Sequence, residues 1–185
     1  MSGKKREGFW KELNEARGAG ISMYWPGVFP EASIIDFNLL VEVNQYLSES
    51  TGQNFLLPEP STVLSPAHTD DRIRPFFTEF IENYKRVDTE IDWNSLLFFS
   101  IYDGHHSVHL HKDVESVFLI QGYGEVGFVA VNDDRSKKDF YHMKTGDVLL
   151  YPPMYAHKSV PFGPRVTLSL GGLPKKHEQQ RYNMN

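Results

Sequence analysis

The stretch "SVHLHKDVESVFLIQGYG", residues 107–124, joins two patterns in one run. Its first half sets His109, His111, Asp113 and Glu115 at every second position. Its second half, "SVFLIQ", is a short apolar block closed by the turn residues Gly122 and Gly124. Alternate side chains on a strand share a face. His109, His111 and Asp113 therefore point to one side, with Glu115 following while the strand stays straight. Imidazole and carboxylate together suit Fe(II), Mn(II), Co(II), Ni(II) or Zn(II). Most H-x-H and H-x-D tripeptides bind nothing, so a second element is needed. His157 supplies one. It follows "GDVLLYPPMYA" (146–156), and a strand closing back in a barrel brings it opposite the first cluster.

The second half of the chain supports that closure. "SLLFFSIY", "SVFLIQ", "EVGFVAV", "DVLLYP" and "RVTLSL" are short, β-branched or aromatic runs, separated by "YDGHH", "QGYG", "VNDDRSKKD", "KTGD" and "VPFGP". Short strands at even spacing with glycine turns predict a sandwich or jelly roll. The first half reads as helices and loops. Asp36 is placed as the N-cap of a helix carrying Leu39, Leu40, Val43 and Leu47, with Gly52 as its stop. "NFLLPEPSTVLSPAH", with three prolines, reads as an extended connection. A second helix begins near Pro75 and sets Ile73, Phe76, Phe77, Phe80, Ile81 and Tyr84 in one apolar stripe. Trp25 and Trp93 read as core. Two N-terminal helices packed on a small β-barrel are expected.

Composition narrows the function classes. The 185 residues suit one domain with a real core. There is no cysteine, which removes thiolate–metal sites, disulfides and Cys nucleophiles. The formal charge of −5 does not favour a nucleic-acid partner. The basic N-terminus lacks an apolar segment behind it, and the longest apolar run is too short for a bilayer. A soluble, cytoplasmic protein without a membrane partner is expected. No phosphate loop or nucleophile elbow is present.

Two histidines and one carboxylate on a common face, with three coordination positions open, form the arrangement of non-haem Fe(II) oxygenases. Arg165 stands inside the apolar strand "RVTLSL", where a buried cation needs an anion; its planar fork grips a carboxylate with two parallel bonds, and Thr167, two residues on, faces the same way. An arginine at a barrel rim beside an ordinary acidic residue fits the same letters.

At this point the sequence resembles the cupin superfamily. Gly104, His109, His111, Glu115 and Gly122 match its first motif, and Gly146, Pro152 and His157 its second, with Met154 where the second motif has glycine and Pro161 where it has asparagine. The implied fold is mainly β, a double-stranded β-helix (jelly-roll, cupin-like) core with N-terminal helices. Residues 1–92 form a helical and loop region packed on the barrel, 93–173 the cupin-like barrel core, and 174–185 a polar tail. Within that fold the chain most resembles the Fe(II)/2-oxoglutarate-dependent oxygenases, JmjC-type hydroxylases included. "HKDVESVFLIQGYG" resembles their H-x-D followed by a strand with Phe118, Gln121 and Gly124; "MKTGDVLLYPPMYAH" resembles the strand and turn that deliver the distal histidine; Arg165 and Thr167 stand as their R-x-S/T pair.

The resemblance implies His111, Asp113 and His157 as Fe(II) ligands and catalytic residues, and Arg165 and Thr167 as the seat of 2-oxoglutarate. The implied reaction hydroxylates a C–H bond of a protein side chain or small metabolite. A metal-dependent cupin dioxygenase, isomerase or decarboxylase is the alternative; it would use His109, His111, Glu115 and His157 without 2-oxoglutarate. A non-enzymatic binding module is the third reading. His105 and His106 read as turn residues or substrate contacts, His142 as exposed, and Tyr102 as a pocket donor or core cap. The oligomeric state is left open.

Overall fold

Along the last strand, successive side chains have opposite fates, and this sets the architecture. Val166, Leu168 and Leu170 are buried in one apolar cluster, whereas Arg165, Thr167 and Ser169 line an internal cavity. The structure, a computed structural model, describes residues 6–51, 62–84, 91–101, 109–131, 136 and 138–174. The elements in chain order are α1 (Glu7–Gly18), β1 (Met23–Trp25), α2 (Phe37–Thr51), β2 (Thr62–Leu64), α3 (Arg74–Tyr84), β3 (Ile91–Ser100), β4 (Ser116–Gln121), β5 (Val126–Val131), β6 (Lys138–Met143), β7 (Val148–Tyr151), β8 (Ala156–Pro161) and β9 (Arg165–Pro174).

The strands form two antiparallel sheets, a larger one ordered β1-β7-β4-β9-β3-β2 and a smaller one ordered β6-β5-β8. In the larger sheet β9 lies between β3 and β4, with Thr167 opposite both Phe98 and Gln121. Between the sheets, Val117, Leu119, Leu149 and Tyr151 meet Val126, Phe128, Ala130 and Met143. The other face of the larger sheet takes the helices. Phe118, 1% exposed, meets Phe80 of α3 at 5.2 Å and Trp10 of α1 at 5.7 Å between ring centroids. Rings so enclosed leave large cavities when truncated, so Phe118→Ala would cost about 3–5 kcal/mol.

The two expected helices are present as α2 and α3. Asp36 Oδ1 accepts the Leu39 amide at 2.9 Å and caps α2, and Pro75 lies in the first turn of α3. The count of two was low, because α1 also forms. Its buried residues, Trp10, Leu13 and Ala16, are spread among Lys11, Glu12, Asn14, Glu15 and Arg17, which dilute the apolar stripe in the sequence. The first half also holds strands, which the reading of helices and loops did not include. β1 and β2 are three residues each, too short to show a period, and they pair at the two edges of the larger sheet. Trp25 is buried, and Trp93 packs edge-on against Phe80 and Tyr84. Gly52, most of the tail and most of the "NDDRSKKD" turn lie outside the described residues, as does the first part of the proline-rich connection. Among the described residues no helix is long and apolar enough to cross a membrane.

Candidate metal centre

An isolated antiparallel bridge brings the two halves of the site together. The His111 amide donates to the His157 carbonyl at 3.1 Å, and the His157 amide donates to the His111 carbonyl at 2.9 Å. The two ring centroids are 4.4 Å apart. In each ring Nδ1 faces a backbone carbonyl, His109 O at 2.8 Å for His111 and Tyr155 O at 3.0 Å for His157. A neutral imidazole that donates from Nδ1 keeps its lone pair on Nε2, and this outer contact fixes the tautomer a metal requires. Nε2 of His157 lies 3.4 Å from Asp113 Oδ2, and Nε2 of His111 lies 3.8 Å from Asp113 Oδ1. One ligand atom from each of the three residues falls within 4.8 Å of the others. An ion held at about 2.0–2.2 Å from each donor spans the 3.4 and 3.8 Å separations to Asp113.

The surroundings hold this geometry. Burial pushes the His157 imidazolium down from its ordinary value, ahead of the opposing pull of the Tyr155 carbonyl and the Asp113 charge, a direction that favours the neutral ring a metal needs. The Tyr151 ring stacks on it at 4.5 Å and 13°. The Asp113 carbonyl accepts the Met154 amide at 2.7 Å, and Met154 has φ +63°. A left-handed residue is thus needed at the position where the cupin motif has glycine, and this chain places methionine there.

Behind the three residues runs a cavity of about 150 Å³. Leu96, Phe98, Leu119, Val126 and Phe128 form apolar walls, and Arg165, Thr167, Ser169 and Ser159 are polar points on them. Arg165 is 4% exposed, and desolvation pulls its pKa down. Thr167 Oγ1 donates to Gln121 Oε1 at 2.7 Å, and Gln121 Nε2 donates to Tyr123 O at 2.8 Å and to Gly124 O at 3.2 Å. Gln121 is thereby held in one orientation, fully buried.

His111, Asp113 and His157 come together, and Arg165 and Thr167 line the same cavity. Among the described residues His109 and Glu115 are outside the three-residue cluster. The His109 carbonyl supports His111, and the Glu115 carboxylate lies in the cavity over Gly171, where an added Cβ would meet it at 3.1 Å. His142 is exposed and contacts Glu125 at 2.6 Å. Tyr102, Gly104, His105 and His106 are outside the described residues. Sequence reasoning placed His157 opposite the first cluster but did not find Tyr151 or the bounds of β8. "AHKSVP" alternates, with His157 and Ser159 on the cavity side, but proline and lysine obscure the period.

No protein-family model matches the chain, and no curated protein sequence does. Solved structures do match. The non-haem α-ketoglutarate-dependent epimerase SnoN from nogalamycin biosynthesis gives a TM-score of 0.57 at 13% identity, over 90% of this chain and 83% of that one. YcfD, a ribosomal oxygenase from Escherichia coli, in complex with cobalt and 2-oxoglutarate, gives 0.50 at 19% identity, over 68% and 38%. The chain has a cupin fold. The match covers well under half the length of YcfD, and at these identities the likeness is one of fold.

Proposed function

We propose that the chain is an Fe(II)- and 2-oxoglutarate-dependent oxygenase that hydroxylates a substrate C–H bond. The observation that carries this reading is the pairing, in one cavity, of the three donors at its mouth with the buried Arg165 within. Two imidazoles and one carboxylate leave positions open for a chelating co-substrate and dioxygen. The solved neighbours named for cobalt with 2-oxoglutarate, and for dependence on α-ketoglutarate, support the choice of co-substrate.

In this reading His111, Asp113 and His157 hold the metal. Arg165 binds the far carboxylate of 2-oxoglutarate through its guanidinium fork in a setting with little competing water. Thr167 completes that seat by turning its hydroxyl away from Gln121. Leu96, Phe98, Leu119 and Val126 exclude water around the methylene carbons. When bound, the metal and 2-oxoglutarate supply the oxidising chemistry, with 2-oxoglutarate becoming succinate and CO2.

Anaerobic calorimetry with Fe(II)-loaded protein tests this directly. 2-Oxoglutarate should bind only when metal is present, bind more weakly to Arg165→Met, and yield succinate on admission of air. Metal uptake without any 2-oxoglutarate binding would overturn the reading.

A further inference from the structure

A file of tyrosines leads away from the metal centre. Tyr151 lies flat on the His157 ring and is fully buried. Its centroid is 6.5 Å from that of Tyr141, which is 6.1 Å from that of Tyr24. Tyr24 sits half-buried on the edge strand β1, and its hydroxyl donates to Asp147 Oδ2 at 2.6 Å. Asp147 is itself 6% exposed and is fixed by the amides of Gly27 and Lys144, each at 2.8 Å.

The ends of this file differ in a telling way. The Tyr151 hydroxyl is buried with no hydrogen-bond partner among the described residues. Such a hydroxyl costs stability, and phenylalanine would fill the same space without the penalty. What the phenol adds is a ring far easier to oxidise than that of phenylalanine. With no proton acceptor, Tyr151 cannot keep the oxidation as a neutral radical. Tyr24 can, because its proton has a carboxylate waiting at hydrogen-bond distance.

We propose that Tyr151, Tyr141 and Tyr24 form an electron-transfer chain that carries oxidising equivalents from the metal centre to the surface when oxygen is reduced there without substrate. This rests on the metal site proposed above. The oxidant is hydrogen peroxide, the partly reduced form of dioxygen, whose reduction to water takes two protons from solvent and two electrons, one from Fe(II), which would become Fe(III), and one from the chain. One electron leaves Tyr24 and reaches the metal site through Tyr141 and Tyr151. The Tyr24 O–H bond breaks, its proton passes to Asp147, and a phenoxyl radical remains. A soluble thiol or ascorbate returns the electron, and Asp147 returns the proton. The chain protects His111, Asp113 and His157 from oxidation.

The test uses the full chain loaded with Fe(II) and mixed with hydrogen peroxide, followed by freeze-quench electron paramagnetic resonance and peptide mapping. Iron binding is measured first, by calorimetry. The wild type should give a phenoxyl signal and oxidation products at Tyr24. Tyr151→Phe should weaken the signal several-fold and raise oxidation of His111 and His157 by a similar factor. It removes no described hydrogen bond, and thermal unfolding checks its fold; Tyr141→Phe cuts the next link should Tyr151→Phe not fold. Iron uptake with no phenoxyl signal, or with equal signal and equal histidine oxidation in wild type and both variants, would overturn the chain alone. Failure to bind iron would overturn the chain and the metal site together. Failure to consume 2-oxoglutarate, measured separately, would overturn the proposed function and leave the chain standing.

Discussion

The two ends of the cavity are built by different means. At the mouth, His111 and Asp113 have side chains about a third exposed, and the contacts that hold them come from close neighbours and turns: the His109 carbonyl, the Met154 amide and one two-residue bridge to β8. At the Arg165 end, Arg165, Thr167 and Gln121 are almost wholly buried and are fixed by long ladders, β9 pairing with β3 on one side and β4 on the other. The mouth therefore combines donor geometry with access, as the proposed exchange of oxygen, substrate and product would require. The other end combines charge with rigidity, as the proposed seat for one anion would require.

The strongest way to break this comparison is at the mouth. Asp113→Ala should lower 2-oxoglutarate turnover by more than ~100-fold, beyond what loss of a supporting residue causes. Succinate formation measures it, and iron content after gel filtration should fall with it. An Asp113→Ala protein that kept its iron and its turnover would remove the mouth as proposed. The Arg165 end should respond in affinity instead. Arg165→Met deletes a charge-assisted pair worth about 2 kcal/mol, so the Kd for 2-oxoglutarate should rise roughly 30-fold while iron binding stays unchanged. Calorimetry on the iron-loaded protein separates the two effects.

The contrast between the ends also governs what could be read in advance. The mouth is written locally. His111 and Asp113 are two residues apart, so a period of two sets them on one face; in the structure His111 makes only an isolated bridge and Asp113 precedes β4, so their convergence comes from a turn and from the partner at His157. Arg165 was legible because a cation in an apolar strand is conspicuous. Tyr151 was not. In "DVLLYP" it looks like one more core aromatic, and its contact with His157 depends on how β7 and β8 cross at the bridge. The same limit hid β6 and β8. "KDFYHM" turns alternate residues to solvent and "AHKSVP" buries only His157, so neither stood out as an apolar run. α1 was missed for a related reason, since it is held by tertiary contacts of Trp10 and Leu13 rather than by a strong stripe of its own.

A smaller effect tests whether Thr167 belongs to the seat or to its frame. Thr167→Val keeps the shape and removes the donor to Gln121 Oε1. A buried acceptor left without its donor costs about 1–2 kcal/mol. The denaturation midpoint should fall accordingly, and the Kd for 2-oxoglutarate should rise by less than in Arg165→Met. Loss of stability with no change in Kd would assign Thr167 to the frame and leave Arg165 as the sole side chain proposed for the far carboxylate.

The smallest expected effect discriminates most between the two cupin readings. The four-ligand alternative uses the His109 ring and the Glu115 carboxylate; the three-ligand site uses only the His109 carbonyl, which every residue type supplies. His109 is exposed, and the ring is absent from the cluster of His111, Asp113 and His157. His109→Ala should therefore shift iron affinity and stability by no more than about 0.5 kcal/mol, the range of ordinary surface substitutions. Glu115→Gln should likewise leave iron bound, since its carboxylate lies over Gly171 rather than among the three donors. Iron titration of both variants decides it. A large loss in each would move the metal toward Glu115 and make Asp113 the bystander; the expected near-silence of both keeps the carboxylate at Asp113, where His157 Nε2 already approaches it at 3.4 Å.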